Sequence, residues 1–277
     1  MRSFQLRGAR AMLSLACLAL CAAAPAHADW QKVQQSGSLK VAVYNEFAPF
    51  SDKGAGIDID IAEALAKKLG LKLSLLPFPA GENLNDDLRN MVWKGHYLGY
   101  GPADVMLHVP VDKKLMADND KVEIFAPYYV ETVRLARSAQ AVPQFDGVAS
   151  LAGKRIGVEK VSIAAMLMLG EDNGKYRDDV RIFDTAAEAL QQLQEGKLDA
   201  VLANRSEIES VLKSDPAFPL SEVAFARLPR AGWAVGLAVS KQQLDVAKLL
   251  QAAMNEMVAS GELKAIFEKY GVKEARP

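Results

Sequence analysis

The feature that most constrains this chain is a strand, a helix and a second strand joined by short connections in residues 38–78. Apolar residues dominate Leu39–Val43 and Leu71–Leu76, as buried strands require. Between them, one helical face carries Ile57, Ile61, Leu65 and Leu69. Gly70 follows directly, where a residue with positive φ commonly ends a helix. Two strands joined this tightly by a helix form a right-handed parallel crossover, so an α/β fold is predicted.

The same order of elements recurs further along the chain. A helix over about Leu84–Lys94 ends at Gly95 and leads into a strand at Asp104–Leu107. In the second half, the helix in AAEALQQLQEG precedes a strand at Asp199–Ala203, and LAGKRIGVEKVSIAAMLM supplies another strand followed by a helix. This repetition predicts two similar α/β lobes, each with a mostly parallel sheet flanked by helices.

Two extended segments are predicted to connect the lobes, one in FAPYYVETVRLARS and a returning one in GWAVGLAVS. We therefore predict a two-lobe clamshell, with lobe 1 at residues 29–132 and 234–277 and lobe 2 at residues 133–233. The predicted hinge residues at the two crossings are Tyr128, Tyr129, Gly232 and Trp233. The final helices, Leu244–Val258 and Glu262–Tyr270, are expected to pack on lobe 1. The alternative is two domains on one linker, with these helices belonging to the second.

The first residues have the pattern of a secretory signal peptide. A segment with three arginines precedes an apolar stretch and the sequence AHA at residues 26–28. Cleavage is predicted after Ala28, and the mature protein is expected in the periplasm. The apolar stretch is shorter than the roughly 18 to 20 residues that span a bilayer. Both cysteines, Cys17 and Cys21, lie in this segment, so no disulfide is expected in the mature chain.

Charge and motifs argue against several functional classes. The whole chain has a net charge of −1, and removal of the three arginines in residues 1–28 makes it −4. So slight a charge argues against nucleic acid or an anionic membrane as a partner. The sequence holds no Gly-x-Ser-x-Gly elbow, phosphate-binding loop or nucleotide-binding glycine run. We predict a monomer that is not an enzyme and has no catalytic residues and no cofactor.

Several blocks together resemble the family-3 periplasmic solute-binding proteins. These blocks are LKVAVYNEFAPFS and GIDIDIAEALAKKLG near the N-terminus, PYY before the crossing, and LAGKRIGV with LQEGKLDAVLAN in the second half. The resemblance spans nearly the whole chain after residue 28. It implies a type II periplasmic binding protein fold with a ligand cleft between the lobes. In the commonest case it also implies delivery of amino acids to an ABC importer.

Two positions depart from the amino-acid-binding members of that family. The resemblance places an arginine for the α-carboxylate shortly after the lobe 1 strand, where this chain has HVPVDKKLMADNDK. It also places an aspartate for the α-ammonium at the tip of the lobe 2 strand, where this chain has Asn204. Lysine lacks the two-bond fork of arginine, and an amide does not neutralise an ammonium. The identity and charge of the ligand therefore stay open, and Lys113 and Lys114 either replace the arginine or belong to a solvated loop.

A narrower set of blocks resembles the branch of the family associated with quinoprotein alcohol dehydrogenases. These blocks are LRNMVWKG, ADVMLHVP and PYYVETVRLA. They imply an alternative in which the protein is an accessory or binding protein of a periplasmic quinoprotein (PQQ) dehydrogenase. A further alternative is a dehydratase on the same scaffold, because a few relatives of this fold are dehydratases.

Ligands of doubly wound sheets bind beyond the carboxyl ends of the strands, and this rule nominates two turns in each lobe. The predicted ligand-binding residues at these turns and at the adjoining helix are Tyr44, Glu46, Phe47, Asp58, His108, Glu159, Ser162, Asn204 and Arg205. Backbone amides after Ser162 would suit an anionic group. Arg89 lies on a helix, where it either reaches the cleft or forms a surface ion pair.

Some of these residues have a second interpretation. His108 either faces the cleft beside Tyr44 and Glu46 or pairs with a backbone carbonyl at the sheet edge. Asp58 either receives a cationic group or caps a helix. The aromatic residues after the first strand either contact the ligand or pack within the lobe. His96 lies at the opposite end of the strand from His108, so no metal site is expected.

From these patterns we predict a protein that captures a small polar molecule between two closing lobes, for an ABC importer. A ligand that contacts both lobes only in the closed form shifts the population toward that form. The expected partners are a small-molecule ligand and an ABC permease, with a quinoprotein dehydrogenase as the alternative partner.

Overall fold

The computed structural model describes residues 28–228 and 232–277. Residues 1–27, which make up nearly all of the predicted signal peptide, lie outside the described residues. Positions 229–231, within the predicted lobe 2, lie outside them as well. In the described ranges, no helix has the length and apolar composition needed to cross a membrane.

Strands and helices alternate along most of the chain. The strands are β1 (Ser38–Tyr44), β2 (Lys72–Phe78), β3 (Val105–Pro110), β4 (Val122–Arg137), β5 (Ile156–Glu159), β6 (Val180–Phe183), β7 (Ala200–Asn204), β8 (Leu220–Glu222) and β9 (Gly232–Ser240). The α-helices are α1 (Ala28–Ser36), α2 (Ile57–Lys68), α3 (Leu84–Leu88), α4 (Lys113–Asp118), α5 (Ile163–Gly170), α6 (Ala186–Gln194), α7 (Arg205–Leu212), α8 (Leu244–Ser260) and α9 (Glu262–Lys269). Short 3₁₀ turns occupy Val148–Leu151, Glu171–Gly174, Arg177–Asp179 and Lys241–Gln243.

The helix predicted over Leu84–Lys94 is divided into two forms. Only the first five residues are α-helical, and a π-helical turn at Arg89–Trp93 follows them. Asn83 caps the start of α3 by accepting a hydrogen bond from the backbone N–H of Asp86 at 3.0 Å. The periodicity of apolar residues does not distinguish an α-helical turn from a single π-helical turn, so the sequence could not predict this change.

The strands form one mixed sheet, and β4 changes its pairing partner at one point along its length. In the described residues the order is β2-β1-β3-β9-β4-β7-β5-β6, and β8 also pairs with β4. β1 is parallel to β2 and β3, and β5 is parallel to β6 and β7. β4 pairs antiparallel with β9 through Thr132 and antiparallel with β7 from Val133 onward. One continuous strand therefore belongs to both halves of the sheet.

The C-terminal helices pack against the half of the sheet that contains β1, β3 and β9. Leu250 of α8 and Phe267 of α9 lie in the same buried cluster as Ile61 and Leu65 of α2. The ring of Phe267 stacks on Tyr129 of β4, with 5.0 Å between the ring centroids. This stacking ties the end of the chain to the strand that crosses between the halves.

Two irregular positions turn side chains of β3 and β4 toward this core. The register of β3 against β9 shifts between Met106 and Val109, and His108 between them has a φ of +61°. The register of β4 against β9 shifts in the same way after Phe125, where Ala126 has a φ of +47°. An extra residue at such a bulge breaks the alternation of side chains between the two faces. The side chain of His108 therefore lies on the face of the sheet that packs against this core. Strict alternation of side chains along β3 would not predict this placement.

Replacing Phe267 by alanine is expected to lower the free energy of unfolding by about 3–5 kcal/mol, because its ring is fully buried and stacked on Tyr129. Chemical denaturation measures this loss. Leu244→Ala is the control, since Leu244 is 46% exposed and its truncation should cost less than about 1 kcal/mol. Similar losses for the two variants would contradict the packing of α9 on the crossing strand.

Candidate functional site

The carboxyl ends of strands from both halves lie near the crossing. β3 ends at Pro110, which pairs with Val235 of β9. β7 ends at Asn204, which pairs with Val133, the first residue of β4 beyond its pairing with β9. The turns that follow these strands are therefore held on either side of the crossing. This is the arrangement in which ligands bind at the carboxyl ends of strands in open α/β sheets.

A buried polar cluster joins three elements on the lobe 1 side. The Oη atom of Tyr128 donates a hydrogen bond to Oδ1 of Asp58 at 2.6 Å and accepts one from the backbone N–H of His108 at 3.0 Å. Nδ1 of His108 lies 3.2 Å from Oδ2 of Asp58, within ion-pair distance but without the alignment of a hydrogen bond. Burial and the adjacent Asp58 raise the pKa of Tyr128 well above its usual value. Tyr128 is therefore a neutral hydroxyl that links β4 to α2 and β3.

The imidazole of His108 lies beneath two aromatic rings and is only 7% exposed. Its centroid is 4.1 Å from that of Phe50 and 4.7 Å from that of Phe47, both in edge-on contacts. The sequence predicted that His108 faces a cleft beside Tyr44 and Glu46; the structure places it in the core on the side of Asp58, with contacts to Phe47 and Phe50. The physical reason is the bulge in β3, which turns His108 into the core on the side of Asp58.

Tyr44 and Glu46, at the end of β1, face different surroundings. The Oη atom of Tyr44 donates to Oδ2 of Asp87 at 3.0 Å, and Oδ1 of Asp87 accepts the backbone N–H of Gly81 at 2.9 Å. Burial raises the pKa of Tyr44 and also that of Asp87. Glu46 is exposed, with a φ of +51°. Phe47 is half-buried between Tyr44 and the core, so this edge of lobe 1 offers an apolar ring and an exposed carboxyl group.

Two carboxyl groups meet at the lobe 2 edge. Glu159 ends β5, and Glu207 lies in the first turn of α7, where its Oε2 accepts the backbone N–H of Asn204 at 2.9 Å. The carboxyl group of Glu159 lies near that of Glu207. Burial, and then the nearby Glu159, raise the pKa of Glu207 to about 8. Burial also raises the pKa of Glu159. The pair therefore holds a proton at neutral pH.

Glu207 and Glu131 are not among the residues predicted from the sequence. Glu131 lies on β4 at the crossing, is 2% exposed, and accepts hydrogen bonds from the Ser206 side chain and from the backbone N–H of Thr132 at 2.9 Å. Burial raises its pKa. For Glu207, the spacing Asn204-x-x-Glu207 is a capping pattern that was present in the sequence. For Glu131 no local pattern exists, because its partner Ser206 lies 75 residues away.

Ser162 and Arg205 already have partners within lobe 2. The Oγ of Ser162 accepts the backbone N–H of Ala165 at 3.0 Å and donates to the carbonyl oxygen of Glu159 at 2.7 Å, so it caps α5. Nε of Arg205 donates to Oε1 of Glu209 at 2.8 Å. The structure thus brings Glu159, Ser162 and Asn204 to one edge but directs the charge of Arg205 along α7.

The four predicted hinge residues fall into two groups. Tyr128 and Tyr129 are fully buried in the lobe 1 core, before β4 changes partner. Gly232 and Trp233 pair with the residues of β4 at the change itself. A Cβ at Gly232 would lie 2.3 Å from the carbonyl oxygen of Glu131, so only glycine permits this close approach of the strands.

The remaining candidates are engaged elsewhere. Arg89 pairs with Asp86 at 3.1 Å, which matches the surface ion pair that the sequence left as one of two interpretations. Lys114 pairs with Asp118 on the exposed helix α4. His96 stacks on Tyr100, with ring centroids 4.2 Å apart. Across residues 28–228 and 232–277, no group of three or more His, Cys, Asp or Glu side chains is arranged to hold a metal ion.

Comparison with known proteins adds relatives of similar length. No protein-family model matches the chain. The L-cystine-binding protein TcyJ of Escherichia coli (strain K12) is 25% identical over 247 residues, covering 86% of this chain and 84% of its own. A probable histidine-binding protein of Neisseria gonorrhoeae is 26% identical over 249 residues, covering 85% and 83%. A cyclohexadienyl dehydratase of Pseudomonas aeruginosa is 42% identical over only 72 residues, 23% of this chain and 27% of its own.

A solved structure confirms the fold. The ancestral cationic amino acid solute-binding protein AncCDT-1 superposes with a TM-score of 0.69 at 18% identity, covering 88% of this chain and 99% of its own. The α/β clamshell predicted from the sequence is therefore the fold of this protein. The resemblance to the family-3 solute-binding proteins is likewise confirmed, because amino-acid-binding relatives match it over most of their length.

Tyr128→Phe is expected to lower the free energy of unfolding by about 1–3 kcal/mol, because it leaves Asp58 and the backbone N–H of His108 without this buried partner. Tyr129→Phe is a matched control: this tyrosine is equally buried, but its Oη has no hydrogen-bond partner among the described residues. The control should change stability by less than about 0.5 kcal/mol. Equal losses in thermal or chemical unfolding would refute the role of the cluster.

The raised pKa of Glu207 predicts that stability falls as pH rises from about 4.5 to about 8. Over that range the folded protein keeps a proton that the unfolded chain has released, so a lower pH favours the folded state. Glu207→Gln, which remains neutral, should flatten this dependence in denaturation curves recorded across the range. Glu63→Gln, an exposed position on α2, should keep the slope of the wild type. An unaltered slope in Glu207→Gln would contradict the shifted pKa.

Proposed function

We propose that this protein is a periplasmic solute-binding protein that captures an amino acid between its two lobes for an ABC importer. The observation that carries the proposal is the match, over more than four-fifths of both chains, to proteins named for binding L-cystine and histidine. The placement of strand ends on either side of the crossing supports it physically, because a ligand there can contact both lobes. The lobe boundaries, the signal peptide and the permease partner that were predicted from the sequence are part of this proposal.

In this proposal the ammonium group of the ligand binds at the lobe 2 edge, on Glu159 and Glu207. Asn204 occupies the position where the family resemblance implies an aspartate, and its backbone N–H already bonds to Glu207. The carboxylate that is absent at Asn204 is thus supplied three residues later. A cation placed against the pair favours the ionised form of both carboxyl groups. Binding therefore displaces the proton that the pair holds at neutral pH.

The lobe 1 edge would contribute apolar surface to the same ligand. Phe47 is half-buried above His108, and Tyr44 is held by its bond to Asp87. Rigid aromatic groups of this kind contact a ligand without losing much side-chain freedom. A ligand that contacts Phe47 on one side and the Glu159–Glu207 pair on the other stabilises the closed form over the open one.

Glu207→Gln is expected to weaken binding of an amino-acid ligand at least tenfold, because the amide removes one of the two negative charges that receive the ammonium group. Titration calorimetry with L-histidine, L-arginine and L-cystine measures the affinity. Repeating the titration in buffers of different ionisation enthalpy shows the released proton. The wild type should release close to one proton near pH 7 and the variant none.

Glu63→Gln, on the exposed face of α2, is the matched control and should bind like the wild type. Equal affinity and equal proton release in the wild type and Glu207→Gln would reject the lobe 2 site. Failure of the wild type to bind any of the amino acids would reject the proposed ligand class.

A dehydratase is the second candidate, and two observations favour it. The cyclohexadienyl dehydratase of P. aeruginosa is 42% identical over 72 residues. Glu207, with its pKa raised to about 8, is also a carboxyl group that holds a proton it could give to a leaving hydroxyl. Incubation of purified protein with prephenate, followed by absorbance of the aromatic product, tests this activity. Product formation that is lost in Glu207→Gln would support it, and no turnover by the wild type would exclude it for this substrate.

The alternative of an accessory protein for a quinoprotein dehydrogenase gains no support from the described residues or from the relatives named above. It rests on the three sequence blocks alone. Copurification of a quinoprotein with the exported protein would revive it.

A further inference from the structure

A cavity of about 440 Å³ lies beside the crossing and is distinct from the candidate site. Its walls come from β4, β8, α7, the loop between α7 and β8, and the tail after α9, residues 271–277. Neither Phe47 nor the Glu159–Glu207 pair lines it. Cavities of this size hold small organic ligands in other proteins. The cavity is therefore large enough to be a second ligand site.

Two partly buried arginines in the cavity wall keep most of their hydrogen-bond donors unused. The side chain of Arg134 is 19% exposed and that of Arg205 is 21% exposed. Each guanidinium group carries five N–H donors. Among the described residues, Arg134 donates only through Nη2, to Oε1 of Glu222 at 3.0 Å. Arg205 donates only through Nε, to Oε1 of Glu209 at 2.8 Å. Both groups can therefore donate further hydrogen bonds to an acceptor in the cavity.

The two guanidinium groups lie close to the same buried hydroxyl group. Burial raises the pKa of Tyr129, and the positive charges of Arg205 and Arg134 oppose this rise. The Oη atom of Tyr129 has no hydrogen-bond partner among the described residues. Two arginines that act on one hydroxyl from the wall of one cavity are near enough to share one small ligand.

The carboxyl groups that line the cavity already have partners within the protein. Glu209 accepts Nε of Arg205 and also the backbone N–H of Lys273 at 2.8 Å. Asp215 accepts the backbone N–H of Ala217 at 2.9 Å. Glu222 pairs with Arg134 but is 87% exposed. An exposed pair of this kind adds little stability, so a carboxylate with two well-aligned hydrogen bonds can take the place of Glu222.

An apolar wall lies in the same cavity as these donors. It is formed by Pro216, Phe218, Pro219 and Leu220, in the loop after α7 and at the start of β8. Phe218 and Leu220 are half-buried and pack against the core cluster that contains Leu212. This packing holds the wall in place. Apolar surface beside guanidinium donors favours a ligand that has both an apolar body and a carboxylate over a bare inorganic anion.

We propose that this cavity is a second binding site, for a small organic carboxylate. The carboxylate group receives hydrogen bonds from Arg134 and Arg205, and the apolar body of the ligand lies against Phe218 and Leu220. Lys273, which lines the cavity and has an exposed side chain, adds a positive charge at the rim. The site does not depend on capture of an amino acid between the lobes, because it shares neither Phe47 nor the Glu159–Glu207 pair with the candidate site.

Titration of the protein with benzoate, hexanoate and inorganic phosphate at constant ionic strength tests the site. Two-dimensional NMR spectra that include the arginine Nε–H signals report the binding. The two carboxylates should shift the signals of Arg134 and Arg205 in a saturable manner, and phosphate should bind at least tenfold more weakly. No saturable shift with either carboxylate would overturn the proposal. Equal affinity for phosphate would also overturn it, because the apolar wall would then have no part in recognition.

Variants of the two arginines test whether these side chains hold the carboxylate. Arg134→Gln and Arg205→Gln should each weaken benzoate binding at least tenfold, because each removes charge-assisted hydrogen bonds. Glu222→Gln should tighten binding by up to about fivefold, since it removes the carboxylate that competes for Arg134. Arg134 pairs only with an exposed carboxylate, so Arg134→Gln decides the test if Arg205→Gln does not fold.

Arg181→Gln is the matched control. Arg181 is exposed on β6 and does not line the cavity, and its replacement removes the same charge. This variant should bind benzoate like the wild type. Loss of affinity in Arg181→Gln equal to that in Arg134→Gln would overturn the proposal, because binding would then follow net charge and not the cavity. Unchanged affinity in Arg134→Gln would overturn it as well.

Discussion

The continuity of one strand is the constraint on which the rest of this structure depends. β4 runs unbroken from Val122 to Arg137 and exchanges β9 for β7 as its partner at Thr132 and Val133. Two halves of a sheet that share a strand cannot rotate freely about each other, so the carboxyl ends of their strands stay on either side of the crossing. Gly232 permits the closest approach of the two crossing strands, and Glu131 bonds the crossing to the start of α7. The site described above exists because of this arrangement.

The two sides of the site differ in chemistry for physical reasons. On the lobe 1 side, Asp58 is buried, accepts a hydrogen bond from Tyr128 at Oδ1 and has Nδ1 of His108 3.2 Å from Oδ2, so its contacts lie within the lobe. On the lobe 2 side, burial and then the nearby Glu159 raise the pKa of Glu207 to about 8, and burial raises the pKa of Glu159. A neutral pair costs less to bury than two charges.

Much of the fold followed from sequence, and the limits have identifiable causes. The strand, helix and strand of residues 38–78 were predictable because apolar periodicity and Gly70 agree with each other. The position of the His108 side chain was not predictable, because the bulge in β3 depends on pairing with β9, which lies far along the chain. The pairing of Glu159 with Glu207 likewise arises from two strands brought side by side. Local patterns identify elements well, but they do not specify which side chains meet across them.

The most direct test of the central claim is small-angle X-ray scattering of the protein with and without saturating ligand. The account predicts that an amino acid that binds with an affinity measured by calorimetry also lowers the radius of gyration, because the two halves close about β4 and β9. Tight binding with an unchanged radius of gyration and scattering profile would contradict it. The ligand would then occupy a preformed site, and lobe closure would have no part in capture.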